Sequence, residues 1–327
     1  MEYLSSMDIK NRYLVALPAF NEEATVGDVV GRIPDGGAMG VRLDILVIDD
    51  GSTDGTAEAA RTAGAEVISH GRNLGLGESF RTALTRARDR GYGGMVTIDS
   101  DGQFDPAHIP LLLKPVLAGE ADFVTASRFA DPALTPEMPR IKVWGNRRVA
   151  GLVGRLSGIT IRDATCGFRV YGPRALERLS SFSRFTYTQE VIIDLASKGL
   201  RIMEVPVRVL GVRPVGESRV AGSLWKYAFL SLAAMYSISH DHKPWRFYGI
   251  PALVLFITGL CADIFVLVRW LVTGRITPFT AVGLGGLFMI TFGVLLFLFA
   301  SLADTSSHNR RLVESILSDI VRRNRGE

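Results

Sequence analysis

Apolar and polar positions fall into two regimes along this chain. Before about residue 210, short apolar or β-branched runs alternate with longer amphipathic stretches; beyond Tyr248 two long runs are almost wholly apolar. In the first regime residues 13–18, 43–48, 65–69, 94–98, 122–126 and 201–209 read as strands. Residues 24–36, 58–63, 78–90, 106–117, 140–156 and 188–197 read as helices, the second capped by Ser52 or Asp54. This alternation predicts an α/β fold with a mostly parallel, twisted sheet covered by helices on both faces. Ligands of such sheets bind beyond the carboxyl ends of the strands. Residues 18–22, 49–52 and 99–103 all lie at such ends, so one cleft can receive all three.

The stretch from Val96 to Pro106 is the centre of that cleft. A buried strand ends abruptly in Asp99 and Asp101, one residue apart. If the extended geometry persists, the two carboxylates point the same way and repel unless a cation lies near them. Such an oxygen-rich site suits Mg2+ or Mn2+, with substrate phosphates completing the shell. A solvated Asp-Gly turn is the other reading of the same residues. Asp50 is suited to the hydroxyls or base edge of a nucleoside, and Asn21 and Glu22 add donors and acceptors. The run from Gly71 to Gly77 lacks the third glycine of a dinucleotide fingerprint.

Composition changes the picture mainly at the C-terminal end. Hydrophobic residues make up 47% of 327 residues, with formal net charge +4. The basic residues gather near the apolar runs, which indicates a membrane surface rather than nucleic acid. Two cysteines exclude a disulfide framework. Residues 1–12 are polar and carry no signal-peptide core. Residues 248–272 and 280–302 are each long enough to span a bilayer, and their short connection makes a hairpin. Lys243, Arg246, Arg310, Arg311, Arg322, Arg323 and Arg325 flank the outer ends, placing both termini and the first domain in the cytoplasm. Asp263, inside the first span, points to a helix–helix or subunit contact, and a homo-oligomer is expected on that ground. Residues 223–239 read as an interfacial amphipathic helix, His240 and His242 as a polar turn, and residues 312–323 as a short tail helix. The expected division is a catalytic domain over 1–221, an interfacial segment over 222–247, the hairpin over 248–303 and a basic tail over 304–327.

Three ordered motifs carry a family resemblance. Pro18-Ala19-Phe20-Asn21-Glu22-Glu23, Val47-Ile48-Asp49-Asp50-Gly51-Ser52-Thr53-Asp54-Gly55-Thr56 and Asp99-Ser100-Asp101-Gly102-Gln103 together resemble glycosyltransferase family 2. Within it they look like the polyprenyl-phosphate branch, the dolichol-phosphate mannose synthases and undecaprenyl-phosphate hexosyltransferases. The resemblance implies a GT-A fold, a nucleotide-sugar donor, a divalent cation and inversion at the anomeric carbon. By position it implies donor contacts at Pro18, Phe20 (where Tyr is common), Glu22, Ile48, Asp50, Asp99, Ser100, Asp101 and Gln103. It implies metal or diphosphate contacts at Asp99, Asp101 and Gln103. Ala126-Ser127-Arg128-Phe129 resembles the family's Ser-Arg-Tyr/Phe, with Arg128 facing the donor phosphates, and Arg140 matches a position suited to the acceptor phosphate. Asp163-Ala164-Thr165-Cys166-Gly167-Phe168-Arg169 resembles a stretch that shapes the acceptor side. Cys166 varies that pattern and reads as structural. Arg213-Pro214-Val215-Gly216-Glu217-Ser218-Arg219 resembles a loop whose cations close on the diphosphate, with Arg219 where Lys is usual. Residues 130–139, with three prolines, read as a mobile loop over the cleft.

The expected activity is therefore transfer of a hexose from a GDP-mannose or UDP-glucose type of donor to dolichyl or undecaprenyl phosphate. Asp101, Arg128 and Arg140 are the expected catalytic groups, and a bacterial or archaeal plasma membrane is expected rather than the ER. Two rivals stand beside it. One is a processive polysaccharide synthase of the same family, but Arg269-Trp270 has Val266 where that group's motif carries Gln. The other is a non-catalytic membrane partner that binds nucleotide sugar or lipid, which the complete set Asp99, Asp101, Gln103 and Arg128 opposes.

Overall fold

The structure, a computed structural model, describes residues 11–136, 138, 140–179, 187–210 and 245–324. The chain divides into two compact units, Met1–Ser231 and Leu232–Glu327. The first is built on a seven-stranded sheet of order β3-β2-β1-β4-β6-β5-β7. Its strands are β1 (Arg12–Ala19), β2 (Arg42–Asp49), β3 (Glu66–Ser69), β4 (Gly94–Thr97), β5 (Phe123–Ser127), β6 (Arg169–Tyr171) and β7 (Ile202–Pro206). Every pairing is parallel except those of β6, which runs antiparallel to both β4 and β5. The strands expected from the sequence are present, and β6 is the addition. It is only three residues long and sits inside a stretch read as a loop, so periodicity had nothing to act on.

The central strands are apolar on both sides because helices cover both faces. All of β4 is buried, and Leu14, Val15, Leu17, Leu46, Val47, Ile48, Met95 and Val96 are at most 1% exposed. The helices are α1 (Glu23–Gly31), α2 (Thr56–Thr62), α3 (Leu76–Asp89), α4 (Ile109–Leu117), α5 (Arg140–Ser157), α6 (Pro173–Arg178) and α7 (Tyr187–Ser197). Their apolar spacing explains their seating: α3 buries Phe80, Ala83, Leu84 and Ala87 at steps of one, three and four. Within residues 130–139, where a mobile loop was expected, Pro132–Leu134 forms a helical turn capped by Asp131, whose carboxylate accepts from Ala133 N at 2.9 Å.

The second unit contains α8 (Ile250–Thr273) and α9 (Thr280–Asn324). Phe247–Thr273 and Thr280–Ser306 are long and apolar enough to cross a membrane, at 27 residues each. At 1.5 Å per residue each rises about 40 Å, against about 30 Å of hydrocarbon. Small residues let the two helices approach closely. A Cβ on Gly259 would lie 2.6 Å from the Gly286 carbonyl oxygen, and one on Gly293 would lie 2.9 Å from that of Ala252. Asp263 lies against Gly286, so its carboxylate faces the neighbouring helix of the hairpin. The tail is not a separate helix: α9 continues without a break to Asn324. The expected interfacial helix at 223–239, the turn at His240 and His242, and Lys243 and Arg325 lie outside the described residues.

Candidate active site

Three chain segments leave the carboxyl ends of β1, β2 and β4 and are tied to one another by hydrogen bonds. Asn21 adopts a left-handed conformation (φ 52°), a cost that Asn tolerates better than most residues. That turn lets its backbone N–H donate to Ser52 Oγ at 2.9 Å while its side-chain oxygen accepts from Thr53 N at 2.7 Å. Glu22 N donates to Thr56 Oγ1 at 2.8 Å, and Asp50 N donates to the Ala19 carbonyl at 2.8 Å. Ser100 Oγ donates to the Pro18 carbonyl and Thr25 Oγ1 to the Ser100 carbonyl, each at 2.8 Å. The motifs at 18–23, 47–56 and 99–103 thus form one rim, as the topology requires.

Strand β4 ends at Thr97, and the chain turns through Gly102 (φ 73°). The extended alternation expected to aim Asp99 and Asp101 in parallel therefore stops before them. Asp101 is 4% exposed, and its Oδ1 accepts from Gln103 N at 3.0 Å, the geometry of an Asx turn. Asp99 is half-buried and borders a cavity of about 70 Å3, whose other lining residues include Gln103, Phe104, Arg128, Thr165 and Gly167. The Gln103 side-chain amide donates to the Leu210 carbonyl at 3.1 Å, which fixes its orientation. Among the described residues no three or more His, Cys, Asp or Glu side chains cluster to hold a metal. Two carboxylates and an amide are hard oxygen donors, too few to enclose a cation. They fit Mg2+ or Mn2+ of the kind whose shell is finished by phosphate and water.

Arg128 is held from behind. Its Nε and one terminal nitrogen donate to the two oxygens of Asp163 at 2.7 and 2.9 Å, and that terminal nitrogen also reaches Thr165 Oγ1 at 2.6 Å. Asp163 is fully buried, whereas the Arg128 side chain is 21% exposed, on the cavity. Burial opposes charge on both groups, but the bidentate pair outweighs it: the guanidinium is raised above its ordinary value and the Asp163 carboxyl is lowered. Asp99 adds to the field at Arg128.

Several expected donor contacts sit differently from the simplest expectation. Asp50 is 4% exposed, and its carboxylate accepts from Leu74 N (2.9 Å) and Gly75 N (2.8 Å) and bonds His70 Nδ1 at 2.8 Å. It pins the 70–75 loop, because buried carboxylate oxygens are stable only when bonded. Ile48 is fully buried in the sheet. The Glu22 carboxylate lies 3.3 Å from Thr25 Oγ1, and Phe20 is half-buried at the rim. For Arg140 the backbone alone is described, as the first residue of α5. Arg213 and Arg219 lie outside the described residues.

Two groups escaped sequence reasoning. Gly167 has no room for a side chain: a Cβ there would lie 2.7 and 2.9 Å from the Asp99 carboxylate oxygens. His70 joins Asp50 to Thr82, whose Oγ1 is 3.0 Å from Nε2. Gly167 follows Cys166 in a motif already singled out, which was its signal; His70 had none. Cys166 is 1% exposed, and burial pushes its thiol up to about 12, which leaves it a packing residue.

The fold is of the GT-A type, and two candidate membrane helices follow it. Residues 14–180 match the family model Glycosyl transferase family 2, and the chain belongs to that family. The undecaprenyl-phosphate mannosyltransferase of Micrococcus luteus is 29% identical over 227 residues, 65% of this chain and 89% of that one. The polyprenol monophosphomannose synthase of Mycolicibacterium smegmatis is 30% identical over 233 residues, 66% and 86% of the two chains. Among solved structures, glucosyl-3-phosphoglycerate synthase from Mycobacterium tuberculosis, in complex with Mn2+, UDP and glucosyl-3-phosphoglycerate, superposes with TM-score 0.53. It is 23% identical, and the match covers 70% of this chain and 80% of that one. The expected family and fold are thus both found.

Proposed function

We propose that this protein transfers a hexose, with inversion, from a nucleotide sugar to a polyprenyl monophosphate at the cytoplasmic face of a membrane. The observation that carries the reading is the single rim formed by the three motifs beside a cavity shared by Asp99, Gln103 and Arg128. The names of the two bacterial relatives support the acceptor class, and the manganese in the solved neighbour supports a divalent cation.

On this reading the rim residues Pro18, Phe20, Glu22 and Ser100 border the nucleoside, and Asp50 shapes that end by fixing the 70–75 loop. Asp99, Asp101 and Gln103 would hold Mg2+ or Mn2+, which supplies charge neutralisation for the departing nucleoside diphosphate. Arg128, pre-oriented by Asp163, presents a fixed positive charge to the same diphosphate and needs no reorganisation as the bond breaks. Arg213 and Arg219 are assigned to close on the diphosphate and Arg140 to meet the acceptor phosphate. An acceptor phosphate oxygen is already anionic near neutral pH, so its attack on the anomeric carbon requires no strong base. The hairpin confines enzyme and lipid to one plane, which favours encounter and orientation.

The test is Asp101→Asn in the purified full chain. Transfer should fall by about 10²–10³, the scale for removing one charge-stabilising group, with an unchanged circular dichroism spectrum. Wild-type turnover in that variant overturns the assignment.

A further inference from the structure

We propose that Arg169, sealed in the sheet beside Asp99, is a built-in counter-charge that keeps the cation site weak until a nucleoside diphosphate arrives. Arg169 is 0% exposed and stands on β6 between Thr97 of β4 and Thr125 of β5, both buried. One terminal nitrogen donates to the Ala164 carbonyl at 3.2 Å, and the guanidinium carbon lies 5.6 Å from the centroid of the Phe123 ring. Among the described residues its Nε and Nη1 have no hydrogen-bond partner and no carboxylate pairs with it. Asp163, the nearest acid in sequence, is committed to Arg128 by two hydrogen bonds. A buried charge without a bonded counter-ion costs stability, and such a group in a fold calls for an explanation. A buried water can satisfy the two nitrogens but not the charge.

The chain just before β6 supplies the compensation. Gly167 precedes Arg169 by two residues, the interval that returns an extended chain to the same face. The space a Gly167 Cβ would take is filled by the Asp99 carboxylate, whose oxygens would lie 2.7 and 2.9 Å away. Two extended residues rise about 7 Å, so carboxylate and guanidinium are neighbours along one face. Tyr187 of α7 senses both: burial raises its phenol well above the ordinary value, Asp99 adds to the rise and Arg169 opposes it. The cation therefore acts on a carboxylate that the proposed function gives to Mg2+ or Mn2+. It offsets one of the two negative charges that Asp99 and Asp101 bring. The empty site then attracts a divalent cation poorly, and the diphosphate supplies the missing negative charge, so cation and nucleotide are taken up together. At about 7 Å and an effective dielectric of about 20, one unit charge changes cation affinity by about tenfold or more.

This rests on the cation assignment made under the proposed function and adds the coupling between cation and nucleotide. The test uses the purified full chain in detergent. Mn2+ binding without nucleotide is followed by electron paramagnetic resonance, and UDP and GDP binding without metal by calorimetry. Arg169→Met keeps the length of the side chain and removes its charge, whereas Arg169→Lys keeps the charge. Arg169→Met should bind Mn2+ about tenfold or more tightly than the wild type, bind the nucleoside diphosphate several-fold more weakly, and melt no lower, because an unpaired buried charge has gone. Arg169→Lys should bind Mn2+ as the wild type does. A damaged site would weaken both ligands, so the opposite signs separate a charge effect from misfolding. Unchanged or weaker Mn2+ binding by Arg169→Met, a melting temperature well below that of the wild type, or an Arg169→Lys variant that behaves like Arg169→Met overturns the proposal and leaves the cation assignment standing. A wild type that binds Mn2+ neither alone nor with UDP or GDP overturns the cation assignment itself, and this inference with it.

Discussion

Gly167→Ala is the most discriminating small change the structure offers. The added methyl would lie 2.7 and 2.9 Å from the two Asp99 carboxylate oxygens and 3.1 Å from Cγ. Gly167 cannot simply retreat, because Thr97 Oγ1 donates to its carbonyl at 2.7 Å and the next residues enter β6. Its backbone lies outside the left-handed region, so alanine adds no torsional strain there. The carboxylate must therefore move by about 0.5–1 Å to regain ordinary contact. Overpacking of this kind costs about 1–3 kcal/mol, and a misplacement of about 1 Å at a reacting centre can cost about 10²-fold in rate. The assay is formation of radiolabelled lipid by the purified variant, paired with a thermal melt and with Mn2+ binding followed by electron paramagnetic resonance. We expect turnover to fall about 10–100-fold and Mn2+ affinity to weaken, with the protein still folded. Gly71→Ala, where a Cβ meets nothing within 4 Å, is the control. Activity of Gly167→Ala within twofold of wild type would refute the placement of Asp99 in the metal and diphosphate site.

Other consequences follow from the same contacts. Asp163→Asn leaves the largely enclosed Arg128 without its counter-charge and should cost about 3–5 kcal/mol, read from the urea midpoint; a loss below 1 kcal/mol would contradict the pair's structural role. Because Asp163 is held below its ordinary value, its contribution is present above the unfolded pKa of about 4 and is lost as pH falls through the lower folded value. Acid unfolding of Asp163→Asn should therefore show a shallower pH dependence below about 4. Gly51 has φ 76°, and a Cβ there would strike the Arg72 backbone. Gly51→Ala should accordingly destabilise by more than about 1–2 kcal/mol, and an unchanged melting temperature would show that the 70–75 loop is free to move. Cys166 should resist iodoacetamide at pH 7 until the protein is denatured; a labelled Cys166 peptide from the native protein, resolved from that of Cys261 by mass spectrometry, would contradict its burial.

What was legible in the sequence followed from the length and regularity of each signal. Strands β1 and β4 and the second half of β2 announce themselves because helices cover both faces and the buried positions there are almost all apolar. The two long apolar helices are equally plain. Strand β6 was not legible, since three residues carry no period, and only the register Thr97↔Arg169 reveals that it reverses. The motifs located the rim but not the direction of each side chain. Asp50 read as a nucleoside contact in sequence, yet the loop it anchors comes from residues 70–75, a contact across twenty or more positions that no local pattern encodes. Likewise the alternation expected of Asp99 and Asp101 does not reach them, because the strand ends at Thr97. Arg128 and Asp163 were each noticed, but their pairing depends on the sheet bringing β5 beside the loop that precedes β6.

The proposed reaction is metal-assisted transfer from a nucleotide sugar to a polyprenyl phosphate. The most direct measurement incubates the purified full chain in detergent with radiolabelled UDP- and GDP-sugars and undecaprenyl or dolichyl phosphate, with Mn2+, Mg2+ or a chelator. The expected product is an acid-labile labelled lipid with at least one donor, abolished by the chelator and restored by added cation. Binding of a nucleotide sugar with no labelled lipid from any donor, or transfer indifferent to the chelator, would contradict it.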